Sequence, residues 1–251
     1  MQFPDPLLRG TLVKRYKRFL ADVTLADATL DSAPDGLITA HCANPGSMLG
    51  LNAPGSEVWL SPARNPDRKL RYSWELVRVD GGLVSINTAH PNKLVEEAIN
   101  AGTIGELGGY DTIRREVRYG KNSRIDLLLE GAGRPDCYVE VKNVTLKRDT
   151  AGDQAGGVAE FPDSVTKRGA KHLAELSDMV AAGHRAVMVY VIQREDCSHF
   201  SLADDIDPAY GAAFAAARAA GVEAIAYACN ISVDGIHIAA PLPIFPLAIA
   251  T

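Results

Sequence analysis

Two apolar segments that carry charged residues in their interiors constrain this sequence most. Residues 124–129 read Arg-Ile-Asp-Leu-Leu-Leu, and Cys137–Val144 reads Cys-Tyr-Val-Glu-Val-Lys-Asn-Val, with a Gly/Pro-rich turn between them. Apolar runs bounded by turn residues are typical of paired strands. Asp126, Glu140 and Lys142 are the charged positions inside these runs. The fold therefore has to place them beside a packed core.

The register of this hairpin predicts that the three charged residues share a face. With Gly133 as the midpoint of the turn, Asp126 lies seven residues before it and Glu140 seven residues after it. The two carboxylates then become direct cross-strand neighbours, with Cβ atoms about 5 Å apart. Because side chains alternate across a strand, Lys142 joins Glu140, and the opposite face carries Ile125, Leu127, Leu129, Val139 and Val141.

Two carboxylates this close require a positive neighbour, because like charges directly opposite each other destabilise a sheet. Mg²⁺ is usually held by one or two carboxylates plus water and substrate phosphate. We therefore expect Asp126, Glu140 and the carbonyl of Val141 to bind Mg²⁺ or Mn²⁺, with Lys142 facing the bound phosphate or water. The alternative is a salt bridge between Lys142 and the acids on an exposed face. The pairing with Asp126 favours the metal site.

Composition limits the protein class. A chain of 251 residues is long enough for one large domain or two smaller ones. The net charge of −5 gives no overall attraction to nucleic acid, so any such contact has to be local. The four cysteines form no Cys-x-x-Cys pair, which argues against a zinc ribbon or a disulfide scaffold and suits a reducing cytoplasm. Without a signal-peptide pattern or a bilayer-spanning apolar run, we expect a soluble cytoplasmic protein with no membrane partner.

Residues 1–88 predict an N-terminal β domain. The candidate strands are residues 12–25, 37–42, 57–60, 70–79 and 83–87, and turn signals at 33–36, 44–47 and 80–82 separate several of them. Five short strands without a long helical pattern favour a small barrel, and an OB-like barrel is one economical solution.

The first of these strands carries the predicted nucleic-acid contacts, which are Lys14, Arg15, Tyr16 and Arg18. Interleaved basic and aromatic side chains are used to follow a phosphate backbone and to stack bases. The alternative is a strand that ends in solvated charges with Phe19 in the core. A second basic cluster, near a Pro-containing loop, consists of Arg64, Arg68, Lys69 and Arg71. Together the two clusters favour nucleic-acid binding.

Residues 89–251 predict a second, α/β domain that begins with a helix. Asn92 is the predicted N-cap of a helix over residues 93–100, with Gly102 just beyond its end. Glu97 borders the apolar stripe of this helix, so it is a candidate third acid for the site. The alternative is a solvent-facing helix glutamate.

The remaining elements alternate strands with helices. A strand over residues 111–119 precedes the central hairpin, and a polar, Gly-rich loop over 147–160 is either a lid or a disordered connection. Further strands are expected at 186–193, 222–231 and 235–239, a helix at 208–220, and a terminal extension at 241–246. This order predicts a mixed sheet flanked by helices, which is an α/β (α+β) fold.

The helix before the strand at residues 186–193 carries candidate phosphate contacts. Asp163 or Ser164 is its predicted cap, and it extends to about residue 182. Arg168, Lys171 and His172 lie near one another by helical spacing, which places them to contact a phosphate. The alternative for His172 is a partly buried structural histidine.

These motifs together resemble known families. Asp126 followed by Glu140-Val141-Lys142 matches the Asp…Glu-x-Lys core of PD-(D/E)xK nucleases. The whole chain resembles the sugar fermentation stimulation protein (SfsA) family. That resemblance rests on Asn-Pro-Gly-Ser-Met at 44–48, Asn-Thr at 87–88, Ser-Arg-Ile-Asp at 123–126, Tyr-Val-Glu-Val-Lys at 138–142, Phe-Pro-Asp at 161–163, Thr166, Arg-Gly at 168–169 and Lys-His-Leu at 171–173.

The resemblance implies an OB-like barrel joined to a nuclease-like domain, binding to single- or double-stranded DNA, and an association with sugar utilisation. It implies Asp126 and Glu140 as metal ligands, Lys142 as the catalytic lysine, and Glu97 as a helix acid. The implied reaction is phosphodiester hydrolysis, in which metal ions polarise a phosphoryl oxygen. The alternative is a non-catalytic, DNA-binding transcriptional regulator of sugar (maltose) utilisation that retains the nuclease fold. The sequence carries no signal for an oligomeric state.

Overall fold

The N-terminal strands form a closed barrel. Their bounds are β1 (Leu8–Tyr16), β2 (Leu20–Leu25), β3 (Leu37–Cys42), β4 (Glu57–Pro62), β5 (Tyr72–Val79) and β6 (Gly82–Ser85). The sheet order is β3-β2-β1-β4-β5-β6, and a parallel pairing of β3 with β5 closes the first five strands. Alternate side chains such as Leu12, Val23 and Trp74 fill the interior. The predicted OB-like barrel is confirmed.

The computed structural model describes residues 1–27, 29, 36–65, 67–120, 122–148 and 156–245. Three predicted segments lie partly outside the described residues, namely the turn at 33–36, the loop at 147–160 and the terminal extension at 241–246.

The prediction of one strand over residues 12–25 is wrong. β1 and β2 form a hairpin, with Tyr16 paired to Leu20 and left-handed backbone at Lys17 (φ 48°) and Arg18 (φ 63°). Neither residue is the Gly or Asn that usually marks such a turn, so residue type does not predict a turn at this position. Phe19 is exposed at the tip of the hairpin and does not enter the core.

The second domain is built on a six-stranded mixed sheet. Its elements are α1 (Pro91–Asn100), a one-turn helix (Gly105–Leu107), β7 (Thr112–Tyr119), β8 (Ser123–Glu130), β9 (Cys137–Val144), α2 (Lys167–Ala181), β12 (Arg185–Ile192), α3 (Pro208–Ala219), β14 (Glu223–Ile231) and β15 (Ile236–Pro241). The strand order is β15-β14-β12-β9-β8-β7, with β12 parallel to both β9 and β14. Helix α1 packs on one face, and α2 and α3 pack on the other. The predicted mixed sheet flanked by helices is confirmed.

A small three-stranded sheet was not predicted. It consists of β10 (Leu146–Lys147), β11 (Gly157–Phe161) and β13 (Cys197–Leu202), in the order β10-β11-β13. Strands β10 and β11 overlap the two ends of the segment at 147–160 that was predicted to be a polar loop. Their pairing is between distant parts of the chain, which short-range sequence patterns do not show.

The predicted helix caps are corrected. The N-cap of α1 is His90, and Asn92 lies inside its first turn. The N-cap of α2 is Thr166, whose side chain accepts a hydrogen bond from the Gly169 amide, so neither Asp163 nor Ser164 caps this helix. Pro91 accounts for the first shift because proline favours the first helical position, where no N–H is needed.

The central hairpin has the predicted register at its three paired positions, but the predicted direct pair of Asp126 and Glu140 lies beyond the end of the ladder. Leu127 pairs with Val139, Leu128 with Tyr138 and Leu129 with Cys137. One facing prediction is wrong, because Ile125 packs with the α2 side of the sheet while Leu127 packs with the α1 side. The pairing of β7 with β8 is interrupted opposite Asp126, where Glu116 has a left-handed φ of 54°. Because of that irregularity, the side chains of β8 on either side of Asp126 do not follow the regular alternation between the two faces of the sheet.

The barrel and the second domain share one core. Trp59, Leu76 and Leu83 from the barrel pack with Leu94 and Val95 of α1 in a single apolar cluster. The linker between β6 and α1 contains residue 88, the predicted domain boundary. All four cysteines are free thiols. None of the helices in the described part of the chain is long and apolar enough to cross a membrane.

Candidate active site

A polar pocket of about 400 Å³ lies where the barrel meets the second domain. Its wall includes the barrel loop at residues 44–46, the start of α1, the centres of β8 and β9, the end of β11 and the start of α2. Asp126, Glu140 and Lys142 all line it. The structure therefore brings the three charged residues of the central hairpin together.

Asp126 lies where β8 and β9 separate. The ladder between them ends at Leu127 and Val139, and beyond that point Asp126 Oδ2 accepts a hydrogen bond from the Val141 amide at 2.8 Å. Its Oδ1 accepts a second one from Asn92 Nδ2, also at 2.8 Å. Burial, followed by the charge of Glu140, raises the pKa of Asp126 to about 6. The two hydrogen bonds therefore do not fully offset the cost of burying a negative charge at Asp126.

Glu140 is only 2% exposed and uses one of its two oxygens. Oε1 accepts a hydrogen bond from Lys142 Nζ at 2.7 Å and contacts His172 Nδ1. Burial alone would raise the pKa of Glu140, but the Lys142 charge and the His172 hydrogen bond outweigh it and lower that pKa. Oε2 is buried and has no hydrogen-bond partner among the described residues. An ionised carboxylate with one unused buried oxygen is suited to a cation.

The hydrogen bonds around His172 define its tautomer. Arg168 Nε is 3.2 Å from His172 Nε2, and an arginine nitrogen only donates, so Nε2 is the acceptor. The proton of the neutral ring then lies on Nδ1, which donates to Glu140 Oε1. His172 is therefore a buried residue that positions Glu140, whereas Arg168 is exposed. Both line the pocket.

The donor set fits a hard divalent cation. The N–H of Val141 points at Asp126. In a β-strand the N–H and C=O of one residue point towards the same neighbouring strand. The carbonyl of Val141 therefore also faces the gap between β8 and β9. Two carboxylates and a carbonyl match the oxygen ligands that Mg²⁺ prefers. The described residues contain no group of three or more His, Cys, Asp or Glu arranged to hold a metal ion. Mg²⁺ needs no such group, because it keeps several waters.

Arg15 supports the barrel wall of the pocket. Its guanidinium donates to the carbonyls of Asn44 (2.8 Å), Gly46 (3.0 Å) and Ser47 (3.3 Å). The same loop is tied to the second domain, because Ser47 Oγ donates to the Asp163 carbonyl at 2.9 Å. A Cβ on Gly46 would lie 2.5 Å from Asp163 Oδ2, so any larger residue there would displace the Asp163 side chain. Arg15 thus holds the loop that lines the pocket, and its predicted contact with nucleic acid stays a prediction.

The other predicted contacts on the first hairpin also have local partners. Lys14 pairs with Asp22 at 3.5 Å and lies over the Tyr16 ring, and the Tyr16 hydroxyl donates to Asp22. Arg18 is exposed at the hairpin turn. None of these residues lines the pocket. Nucleic-acid binding by this hairpin stays a prediction.

The structure separates two further predicted residues from the pocket. Glu97 pairs with the N-terminal ammonium of Met1 at 2.7 Å and with Lys93 at 3.6 Å, and it is not among the pocket residues. It was chosen for its place beside the apolar stripe of α1, but Asn92, one turn earlier, is the residue that reaches Asp126. Lys171 donates to Ser123 Oγ at 3.0 Å and also lies outside the pocket.

Sequence reasoning missed several residues that build the pocket. Asn92 was assigned as a cap, and Asn143, Glu160 and Thr166 were given no role, although all four line the pocket. Asn143 follows directly on the Glu-x-Lys motif, which was a usable signal. No sequence signal pointed to Glu160, because it reaches the pocket from β11, a strand that was not predicted.

Comparison with known families covers both parts of the chain. A family model described as the SfsA N-terminal OB domain matches residues 13–86. A second, described as the sugar fermentation stimulation protein RE domain, matches residues 89–235. Each match falls on one of the two parts that meet at the pocket.

Individual relatives match over nearly their whole length. A sugar fermentation stimulation protein homolog of Paramagnetospirillum magneticum is 61% identical and covers 96% of this chain and 97% of its own. The homolog of Rhodospirillum centenum is 60% identical, with 95% and 97% covered. A solved structure described as Pyrococcus furiosus SfsA in complex with Ca²⁺ aligns with a TM-score of 0.83 and 26% identity over 98% of both chains. The chain therefore belongs to the sugar fermentation stimulation protein family.

Proposed function

We propose that this protein is a DNA-binding, Mg²⁺-dependent phosphodiesterase whose metal site is formed by Asp126, Glu140 and the Val141 carbonyl. The observation that carries the proposal is the buried Glu140 Oε2, which has no partner among the described residues and belongs to a pocket that also holds Asp126. A divalent cation would supply the positive charge that this pair of carboxylates lacks.

Two further observations support a divalent cation. Burial and the charge of Glu140 raise the pKa of Asp126, and the charge of Lys142 offsets that rise only in part, so a further cation near Asp126 would favour its ionised form. The Pyrococcus furiosus relative is described as a complex with Ca²⁺, which shares with Mg²⁺ a preference for oxygen ligands. Manganese has similar ligand preferences and is the alternative metal.

A metal held by Asp126, Glu140 and the Val141 carbonyl would supply Lewis-acid chemistry, that is, polarisation of a phosphoryl oxygen and a lower pKa of a bound water. The protein contributes positioning. Asn92 and the Val141 amide fix Asp126, and His172 fixes Glu140. Lys142 approaches Glu140 from within the pocket, so its ammonium is placed to orient water or to stabilise charge on the phosphate. Arg168 lies exposed at the pocket wall, where it would bind an adjoining phosphate.

The test is cleavage of single-stranded and structured DNA by the purified protein with Mg²⁺ or Mn²⁺. We expect cleavage by the wild type, none in EDTA, and a loss of at least about a hundredfold in Glu140→Ala, because metal-bound charge stabilisation contributes several kcal/mol. Asp178→Ala is a matched control, since Asp178 is an exposed carboxylate on α2, and it should cleave like the wild type.

The contrary result distinguishes the alternative function. A transcriptional regulator of sugar utilisation that keeps the fold without turnover would bind DNA in a salt-sensitive way, with no divalent-metal requirement and no effect of Glu140→Ala. Absence of cleavage across a broad panel of DNA substrates, with DNA binding retained, would replace the phosphodiesterase proposal with that one.

A further inference from the structure

An unpaired couple of arginines lies at the end of β7 and β8. Arg118 and Arg124 are direct cross-strand partners, and both are exposed. Neither forms an ion pair or a hydrogen bond through its guanidinium within the described part of the chain. Like charges directly opposite each other destabilise a sheet, so this placement is unfavourable without an anion.

The other arginines of β7 do not share this situation. Arg114 pairs with Glu130 at 3.1 Å, and Arg115 pairs with Glu96 of α1 at 3.6 Å. The arginine couple is therefore not a general property of the strand. It also lines a surface pocket of about 480 Å³, together with residues of the β7–β8 turn. The pocket provides room for a group the size of a phosphate.

The arginine couple is on the α1 side of the sheet. Tyr119 and Ser123, the adjacent cross-strand pair, face α2, because Tyr119 packs in the α2 core cluster and Ser123 Oγ accepts from Lys171. Neighbouring residues of a strand point to opposite faces, so Arg118 and Arg124 point to the α1 side. Asn92 of α1 reaches Asp126 from that same side.

The couple is also close to the candidate active site along the chain. Arg124 precedes Asp126 by two residues in β8, which is about 7 Å along the strand. Arginine presents a planar fork of donors that matches phosphate oxygens. Two such forks on one face, two residues along β8 from Asp126, suit a polymer with several phosphates.

We propose that Arg118 and Arg124 bind one backbone phosphate of a nucleic-acid strand whose neighbouring phosphate occupies the pocket at Asp126 and Glu140. This inference rests on the proposed phosphodiesterase function, since it assigns the strand's position relative to that pocket. The arginine couple would hold the strand in register and would not touch the bond that is cut.

The test is binding of a fluorescently labelled single-stranded oligonucleotide in EDTA, measured by anisotropy over a range of salt concentrations. In Arg118→Ala/Arg124→Ala we expect affinity to fall about tenfold or more, because hydrogen bonds to charged groups contribute about 1.5–3 kcal/mol. The slope of log K against log salt should fall by about 0.7, the value for one phosphate contact on a single strand. Arg118→Lys/Arg124→Lys should keep most of that slope.

The matched control is Arg114→Ala, which removes a paired arginine from the same strand and should leave affinity and slope unchanged. Equal binding by the double alanine variant and Arg114→Ala would overturn the inference. Displacement of the oligonucleotide by inorganic phosphate at an equal phosphate concentration would also overturn it, since the site would then take free phosphate.

A separate measurement distinguishes failure of this inference from failure of the proposed function. Mg²⁺ affinity, measured by calorimetry, should be the same in the double alanine variant and the wild type, whereas Glu140→Ala should lose the metal and keep the salt slope. A wild type that fails to bind metal but shows the arginine-dependent slope would remove the phosphodiesterase and leave the phosphate subsite.

Discussion

Two charged clusters in this protein both contain carboxylates and basic side chains, and they differ in the balance of the two. In one, Arg194 donates to Asp196 at 2.8 and 2.9 Å, and Lys147 donates to Asp196 at 2.9 Å and to Asp80 at 3.3 Å. Burial would raise the pKa of Asp196, but Arg194 and Lys147 outweigh it and lower that pKa to about 2. Each carboxylate in this cluster has a cation.

In the candidate active site, burial has the larger effect. The pKa of Asp126 rises to about 6, and Glu140 keeps an oxygen without a partner among the described residues. Lys142 lines the same pocket, but its one recorded hydrogen bond goes to Glu140. The difference suggests two roles: an acidic cluster with matched cations stabilises the fold, and one with fewer cations than carboxylate oxygens is, in our proposal, a site for a metal ion. The predictions below test that distinction.

The largest stability effect is expected in the balanced cluster. Arg194 is 2% exposed, and Arg194→Met should lower the free energy of unfolding by about 3 kcal/mol, since removing one partner of a buried pair leaves a charge uncompensated. Urea denaturation measures this. Arg114→Met, which breaks an exposed pair with Glu130, should cost at most about 1 kcal/mol. Equal effects of the two would show that the Arg194 cluster is not structural.

The next effect is stabilisation by metal. Binding to the folded state alone should stabilise the wild type by about 2.7 kcal/mol when free Mg²⁺ is a hundred times the Kd. The rise in melting temperature with added Mg²⁺ or Mn²⁺ measures this. Glu140→Ala should show no rise, and Arg194→Met should keep it. A metal-dependent rise in Glu140→Ala would place the cation elsewhere.

Asp126→Asn should stabilise the metal-free protein. A carboxyl group whose folded pKa is above its unfolded value favours the protonated form, so its ionised form costs stability above about pH 6. At pH 7.5 the substitution should raise the free energy of unfolding by about 1–3 kcal/mol, because one pKa unit is about 1.36 kcal/mol. The gain should shrink as the pH falls from 6 towards 4. A destabilised variant with the opposite pH trend would contradict the charge deficit.

The opposite pH dependence is expected for Asp196. Its folded pKa lies below its unfolded value, so its contribution to stability is complete above about pH 4 and is lost as the pH falls towards 2. Asp196→Asn should therefore destabilise the protein at neutral pH, with the difference from the wild type shrinking in that acidic range. Denaturation curves at several pH values for both asparagine variants compare the two clusters directly.

The smallest effect concerns the barrel loop. Arg15→Ala removes three hydrogen bonds to loop carbonyls that are exposed or half-buried, so it should cost about 1 kcal/mol of stability. Because the loop forms a wall of the pocket, we also expect the DNA cleavage rate to fall under conditions in which the variant is still fully folded. Unchanged cleavage would show that the barrel loop only borders the site.

The sequence predicted those features that depend on local pattern. The register of the central hairpin followed from one turn and the strand period, and the pocket residues Asp126, Glu140 and Lys142 followed from that register. The barrel followed from the number and spacing of short strands. Each of these features depends on residues that are close together in the sequence.

A turn without the usual turn residues, and features that depend on distant contacts, were not predictable. The hairpin turn at Lys17 and Arg18 lacks the usual turn residues, and the pairing of β11 with β13 joins segments about forty residues apart. Glu97 and Asn92 are on the same helix, and only the packing of α1 against β8 decides which one reaches Asp126. The role of Arg15 likewise depends on where the barrel loop meets the second domain.

The most direct test of the charge deficit is a crystal structure of the protein grown with Mn²⁺, which is located by its anomalous signal. The account predicts a peak within about 2.3 Å of an Asp126 oxygen, Glu140 Oε2 and the Val141 carbonyl. A peak at the Asp80–Asp196 cluster, or a pocket at Asp126 and Glu140 that stays without a peak at saturating Mn²⁺, would contradict it.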